Sequence, residues 1–157
     1  MLTLKRILVP VDFSPCSRSA LRHACLLGEL LGATIDVVHI WPAPSYIEPH
    51  MALEAPEGPG PTLWQYARIG ASRDMEQFLA DFQRSCRVKI SMRLEQGDPC
   101  DTILKIAKDG RFDLIVMGTH GRTGTSPVWM GSVAEKVVRR SHCPVLTVPS
   151  MEPPPVD

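Results

Sequence analysis

No apolar run in this chain approaches the roughly 20 residues that a membrane-crossing helix needs. There is no excess of one charge either. Seventeen basic side chains balance seventeen acidic ones, which leaves no electrostatic footprint for nucleic acid. The five cysteines, Cys16, Cys25, Cys86, Cys100 and Cys143, are odd in number and form no C-x-x-C pair. That speaks against a disulfide framework or a zinc site, and for core or incidental surface thiols in a reducing compartment. The opening residues, Met1 to Arg6, run straight into a strand without a secretory apolar region and cleavage site, so the expected location is the cytoplasm. Two familiar phosphate signatures are also missing. No Gly-Lys-Ser/Thr follows any glycine cluster, which excludes a P-loop. The first strand runs into Pro10-Val11-Asp12-Phe13-Ser14 with no glycine, which excludes the dinucleotide fingerprint. No Ser-His-Asp set or carboxylate pair stands out, and no general base is evident.

What remains is an alternation of strand and helix. The 157 residues, 44% hydrophobic and 22% charged, suit one globular domain over about residues 1–150 with a proline-rich tail over 151–157. Arg6 to Val11 reads as a strand buried on both faces. Ser14 and Pro15 open a helix that spaces Ala20, Leu21, Ala24, Leu27 and Leu31 inward and ends at Gly32. A second strand spans Thr34 to Trp41. Residues 42–61 hold six prolines and two glycines and read as an extended surface loop, a plain connector or a cover over a ligand. A second helix follows from Thr62 to Ser85. Val88, Ile90, Met92 and Leu94 alternate with polar residues, the pattern of an edge strand with one wet face. Asp98 and Pro99 open a third helix that turns Ile103, Ile106 and Ala107 inward. A fourth strand precedes a glycine loop, a fourth helix runs from Ser132 to Ser141, and Val145 to Val148 is the fifth strand. Five such strands imply an α/β fold: a parallel open sheet with helices on both faces.

The loop after the fourth strand is the most informative feature. Asp113-Leu114-Ile115-Val116-Met117 leads into Gly118-Thr119-His120-Gly121, then nine residues, then Gly131-Ser132 at a helix start. Strand, glycine-spaced loop and helix N-terminus together capture phosphate. Glycine lets the backbone approach a ligand, and the unpaired N–H groups of a first helical turn attract an anion. In open α/β sheets the ligand crevice lies at the carboxyl ends of the strands where the winding reverses. If the first and fourth strands are central neighbours, Asp12 and the Gly118 loop meet there.

These motifs, with Val38-His39-Ile40, Gly97-Asp98-Pro99, Gly121-Arg122-Thr123-Gly124 and Cys143-Pro144-Val145-Leu146, make the chain resemble the universal stress protein family over residues 4–149. The resemblance implies an adenine nucleotide alpha hydrolase-like sheet of strand order 3-2-1-4-5, usually in a homodimer. The G-x-x-G-x9-G-Ser/Thr signature of the family's ATP binders is intact. By that resemblance the nucleotide site comprises Pro10, Val11, Asp12, Ile40, Gly118, Thr119, His120, Gly121, Arg122, Thr123, Gly124, Gly131, Ser132 and Val133. One departure concerns Thr125-Ser126-Pro127-Val128-Trp129, where relatives commonly carry Leu-x-Arg-Leu-Leu. Pro127 replaces a basic residue near the outer phosphates, so ADP or AMP is expected to compete well with ATP.

Each residue then has a role set beside a plainer one. Asp12 accepts from ribose hydroxyls or helps hold Mg²⁺ on the phosphates, or it is a turn aspartate before Ser14. Val11 and Ile40 bracket adenine while also serving as strand core. Ser132 offers its hydroxyl and N–H to phosphate, or caps the helix. Arg122 neutralises phosphate or is a solvated loop arginine. His39 reads as a satisfied core histidine. The expected function is an ATP-binding sensor or regulator in stress response with protein partners of its own. The rivals are a slow ATPase or autophosphorylating enzyme using Thr123, Thr125, Ser126 or Ser132, and a chaperone-like module with a vestigial site. Dimerisation is expected through the open edge of Val145 to Val148. Gly131→Val is expected to put a side chain where phosphate sits.

Overall fold

A computed structural model describes residues 3–41, 52–55, 58–121 and 130–150. In chain order the elements are β1 (Arg6–Val11), α1 (Pro15–Leu31), β2 (Thr34–Trp41), β3 (Ala52–Ala55), β4 (Gly58–Thr62) and α2 (Leu63–Ser85). They continue with β5 (Ile90–Gln96), α3 (Pro99–Asp109), β6 (Leu114–Gly118), α4 (Ser132–Arg140) and β7 (Val145–Val148). The main sheet runs β5-β2-β1-β6-β7, with every neighbouring pair parallel. Counting its own strands alone, that is the expected order 3-2-1-4-5.

Strand alternation divides the core in two. Ile7, Val9 and Val11 of β1, Ile35 and Val37 of β2, and Leu114 and Val116 of β6 face α1 and α2. There they meet Ala20, Leu21, Ala24, Met75, Phe78, Leu79 and Phe82. Leu8, Val38, Ile40, Ile115 and Met117 face the other way, against Ile103, Ile106 and Ala107 of α3 and Ala134 and Val137 of α4. Burial on both faces explains why β1 and β6 read as apolar runs. β5 sits at the edge, as its alternation predicts, but Met92 on its apolar face is 51% exposed while Ile90 and Leu94 pack on the core.

Helix ends obey local rules. Ser14 caps α1 by accepting from the Ser17 N–H, and Gly32 ends it with φ 68°. Asp98 caps α3 by accepting from Asp101 N–H. Thr62 and Gln65 form a reciprocal capping box at α2. Two expectations fail. Leu31 is 53% exposed, because the inward positions of the last turns of α1 fall to Cys25 and Gly28. The expected loop 42–61 contains a two-stranded antiparallel ribbon, with Ala52 opposite Thr62 and Ala55 opposite Gly58. Proline's fixed φ suits extended backbone, and a ribbon open on both sides tolerates its missing N–H. Residues 42–51 of that loop, and the tail 151–157, lie outside the described residues.

Candidate functional site

β1 and β6 are hydrogen-bonded neighbours at the centre of the sheet. From β1 the chain crosses to β2 on one side, and from β6 to β7 on the other, so the winding reverses between them. A cavity of about 290 Å³ opens at their carboxyl ends. Its apolar lining is Pro10, Val11, Ile40, Pro99, Ile103, Met117, Val133 and Ala134, and its polar lining is Asp12, Ser17, Thr119, His120 and Ser132. Gly118, Gly121 and Gly131 complete it. Every described residue that the sequence nominated is thus brought together. Arg122, Thr123 and Gly124, and the Pro127 substitution, lie outside the described residues.

The loop is clamped to the sheet by its backbone. Thr119 N–H donates to Val148 O at 3.0 Å, and Gly131 N–H donates to Thr119 O at 2.7 Å. Gly131 is the N-cap of α4 with φ −69° and ψ 156°, and no side chain caps the helix. Ser132 is therefore the first helical residue and not the cap that its plainer reading supposed. A glycine cap brings no side-chain oxygen of its own to the first-turn N–H groups, at the dipole's positive end. Among the described lining residues there is no lysine or arginine, so attraction for an anion rests on these N–H groups and the dipole.

The glycines serve proximity, since none of Gly118, Gly121 and Gly131 has positive φ. A Cβ on Gly118 would lie 2.6 Å from Cys16 Cβ and 2.9 Å from Cys16 C. Gly118 thus seats the first turn of α1 against β6, a packing role that the sequence reading assigned to phosphate. A Cβ on Gly131 would meet Thr119 O at 3.3 Å and His120 Cα at 3.5 Å. Gly131→Val therefore presses first on the loop backbone, which corrects the expectation that it reports on phosphate alone. Gly121 differs: among the described residues its Cβ would meet Asp12 alone, with Oδ2 at 2.6 Å.

Asp12 sits where β1 turns into α1. Its Oδ1 accepts from Ser14 N–H at 3.1 Å and from the Ser17 hydroxyl. The plainer reading of Asp12 as a turn residue is correct for this oxygen. The turn needs Phe13 at φ 67°, a conformation that costs a non-glycine residue about 1–2 kcal/mol. Its ring packs on His39 at 4.3 Å and Phe78 at 5.5 Å between centroids, which holds the strained turn. His39 is buried and its Nδ1 donates to Val11 O at 2.8 Å, the satisfied core histidine that was expected. Thr119 Oγ1 and His120 Nδ1 are 3.0 Å apart.

No cysteine is among the described residues that line the cavity. Burial pushes Cys25 well above the ordinary thiol range, reinforced by neighbouring Cys86. Burial also raises Cys100, against the lowering influence of Arg140.

Sequence reasoning missed Ser17, Pro99, Ile103, Met117 and Ala134 in the lining. Two signals were present: Ser17 stands on the first turn after Asp12, and Pro99 and Ile103 share one face at four-residue spacing on the helix entering the crevice.

The sequence model of the universal stress protein family matches residues 3–149. The chain belongs to the universal stress protein family. A universal stress protein of Methanocaldococcus jannaschii is 31% identical over 147 residues, covering 92% of this chain and 81% of that protein. A solved structure of another Methanocaldococcus jannaschii member superposes with TM-score 0.76 at 26% identity, covering 97% of this chain and 100% of the other. An Archaeoglobus fulgidus universal stress protein, solved in complex with dAMP, shares the fold with TM-score 0.67 at 22% identity, over 94% of this chain and 99% of that one.

Proposed function

We propose that this universal stress protein binds an adenine nucleotide, ATP foremost, in the cavity between β1 and β6. In this reading it acts as a nucleotide-dependent sensor in stress response. The observation that carries it is the bare, glycine-capped N-terminus of α4 opening onto the same cavity as Asp12 and an apolar slot. Val11 and Ile40 would flank the base. The N–H groups of Ser132 and Val133, with Gly118 to Gly121, would take the phosphates, joined by Arg122, Thr123 and Gly124. Asp12 is the carboxylate placed to meet a ribose hydroxyl or the Mg²⁺ that accompanies the phosphates. The dAMP bound by the Archaeoglobus fulgidus relative supports an adenine ligand. Binding at the switch crevice would bias partner surfaces through differential affinity. The site belongs to one domain over residues 1–150, working in the cytoplasm; among the described residues no helix is long and apolar enough to cross a membrane.

Calorimetric titration of the purified protein with ATP, ADP and AMP, each with and without Mg²⁺, tests the reading. Saturable heat at one site per chain is expected, with ADP and AMP within about tenfold of ATP, or 1.4 kcal/mol. No heat from any of the three, and no nucleotide released from fresh protein, would favour a vestigial site. Turnover well above background, lost on changing Asp12, would move the reading to an enzyme.

The partner is a second copy through β7. Ile115 N–H donates to Pro144 O and Thr119 N–H to Val148 O, so in this parallel ladder the even positions of β7 face β6. The main-chain groups of Val145 and Thr147 point to the open edge, beside Leu146, whose side chain is 37% exposed. Antiparallel pairing of two such edges would close the surface. Thr147→Pro removes an outward N–H without touching the β6 ladder and leaves Leu146 extended, as it already is. In sedimentation at micromolar concentration the unmodified chain should be dimeric and the variant monomeric. Dimers of undiminished strength would place the interface elsewhere.

A further inference from the structure

Two thiols remote in sequence meet in the helical layer made by α1 and α2. Cys25 belongs to the core on α1 and is 8% exposed. Cys86, half-buried, is the C-cap of α2 and packs against that same core. Three contacts bring the two segments together. A Cβ on Gly28 would stand 3.0 Å from Val88 Cγ2, so α1 passes close to the chain that leaves α2. Arg87 N–H donates to Glu29 Oε1 at 2.9 Å. Glu29 lies one turn beyond Cys25 on the same stripe of α1, and Arg87 follows Cys86 directly. Between these anchors the Cys86 side chain hydrogen-bonds the Cys25 thiol.

We propose that Cys25 and Cys86 are a reversible oxidation site, closed to a disulfide by hydrogen peroxide, which staples α1 to the end of α2. The inference does not rest on the nucleotide reading. Cys86 is the entry point, because it is the more exposed of the two. Its sulfur attacks one peroxide oxygen and the O–O bond breaks. Hydroxide leaves with the thiol proton as water, and a sulfenic acid remains on Cys86. The Cys25 sulfur then attacks the Cys86 sulfur and the S–O bond breaks. The departing hydroxide takes the Cys25 proton as a second water. Two thiols have then given two electrons and two protons to one peroxide. Burial keeps Cys25 protonated, and so inert to oxidant until a sulfenic sulfur stands beside it. The backbone at Cys86 is extended, with φ −89° and ψ 122°, and no helix continues beyond it to resist the closure. A bond made on demand suits reducing surroundings, where thiol pairs act as transient redox sites.

The fully reduced chain is treated with hydrogen peroxide, alkylated, and digested without reductant. Mass spectrometry should find the peptides of Cys25 and Cys86 linked within one chain, and dithiothreitol should part them. The oxidised protein should melt about 5–10 °C higher, because the link closes a loop of about 60 residues in the unfolded chain. In Cys25→Ala the sulfenic acid on Cys86 should persist and be trapped by dimedone. In Cys86→Ser dimedone should leave Cys25 unlabelled. If either variant fails to fold, the peptide map of the unmodified chain decides alone. Cys86 driven to sulfinic acid with no linked pair, a link between other cysteines, or Cys25 trapped in Cys86→Ser overturns the proposal. A Cys25–Cys86 link that leaves the melting temperature unchanged overturns the staple.

Discussion

Gly118→Ala should lower the free energy of unfolding by about 3 kcal/mol, at the upper end for inserting one carbon into a packed interior. The added Cβ would stand 2.6 Å from Cys16 Cβ, 2.9 Å from Cys16 C and 3.2 Å from Ser17 N. Two of those three atoms are backbone, in the first turn of a helix fixed by Ser14, so no rotamer change relieves the clash. α1 must lift away from β6, and Ala20, Leu21 and Ala24 would lose part of their contact with the central strands. Urea unfolding should show an earlier midpoint at unchanged slope. Gly118→Val should go further and prevent folding. Adding ATP recovers only what binding to the native state supplies, so the loss persists in its absence. A variant as stable as the unmodified chain would mean that α1 seats less closely on β6 than this geometry has it.

That expectation also shows what can and cannot be read from a glycine. Gly118, Gly121 and Gly131 are equivalent in the motif, and their spacing was enough to locate the crevice. Their work differs, because it depends on what stands opposite each one: the turn of α1, the tip of Asp12, the backbone of Thr119. Only the folded chain brings those partners near. The same distinction runs through the rest. β1, β2 and β7 were legible to the residue and β6 to within one, since each is a largely apolar run bounded by caps and turns. The ribbon of β3 and β4 was hidden, because proline and glycine carry the same signal in a loop and in an open-edged ribbon. Ser17 was hidden for a third reason. Its partner Asp12 lies five residues back across a turn that requires Phe13 at positive φ, and a phenylalanine there announces no such turn.

Gly121→Ala should do the reverse of Gly118→Ala: leave the fold in place and weaken Mg·ATP binding about 100-fold, or 2.7 kcal/mol. Among the described residues, the atoms a Cβ would meet within 4 Å belong to the Asp12 carboxyl, Oδ2 at 2.6 Å and Cγ at 3.8 Å. A side-chain tip can yield where a helix cannot, and the backbone at Gly121 needs no positive φ, so unfolding free energy should change by less than about 1 kcal/mol. The carboxylate does not yield freely, though. Its Oδ1 is held by the Ser17 hydroxyl and by Ser14 N–H at 3.1 Å, so moving Oδ2 means pulling Oδ1 from both. The added methyl thus takes the space of Oδ2 and strains the bonds that hold Oδ1. Calorimetric titration beside thermal melts reads both quantities on one preparation. Unchanged affinity in the folded variant would remove Asp12 Oδ2 from the binding site. A fold lost at Gly121 as readily as at Gly118 would show that the Asp12 carboxylate is held too firmly to yield.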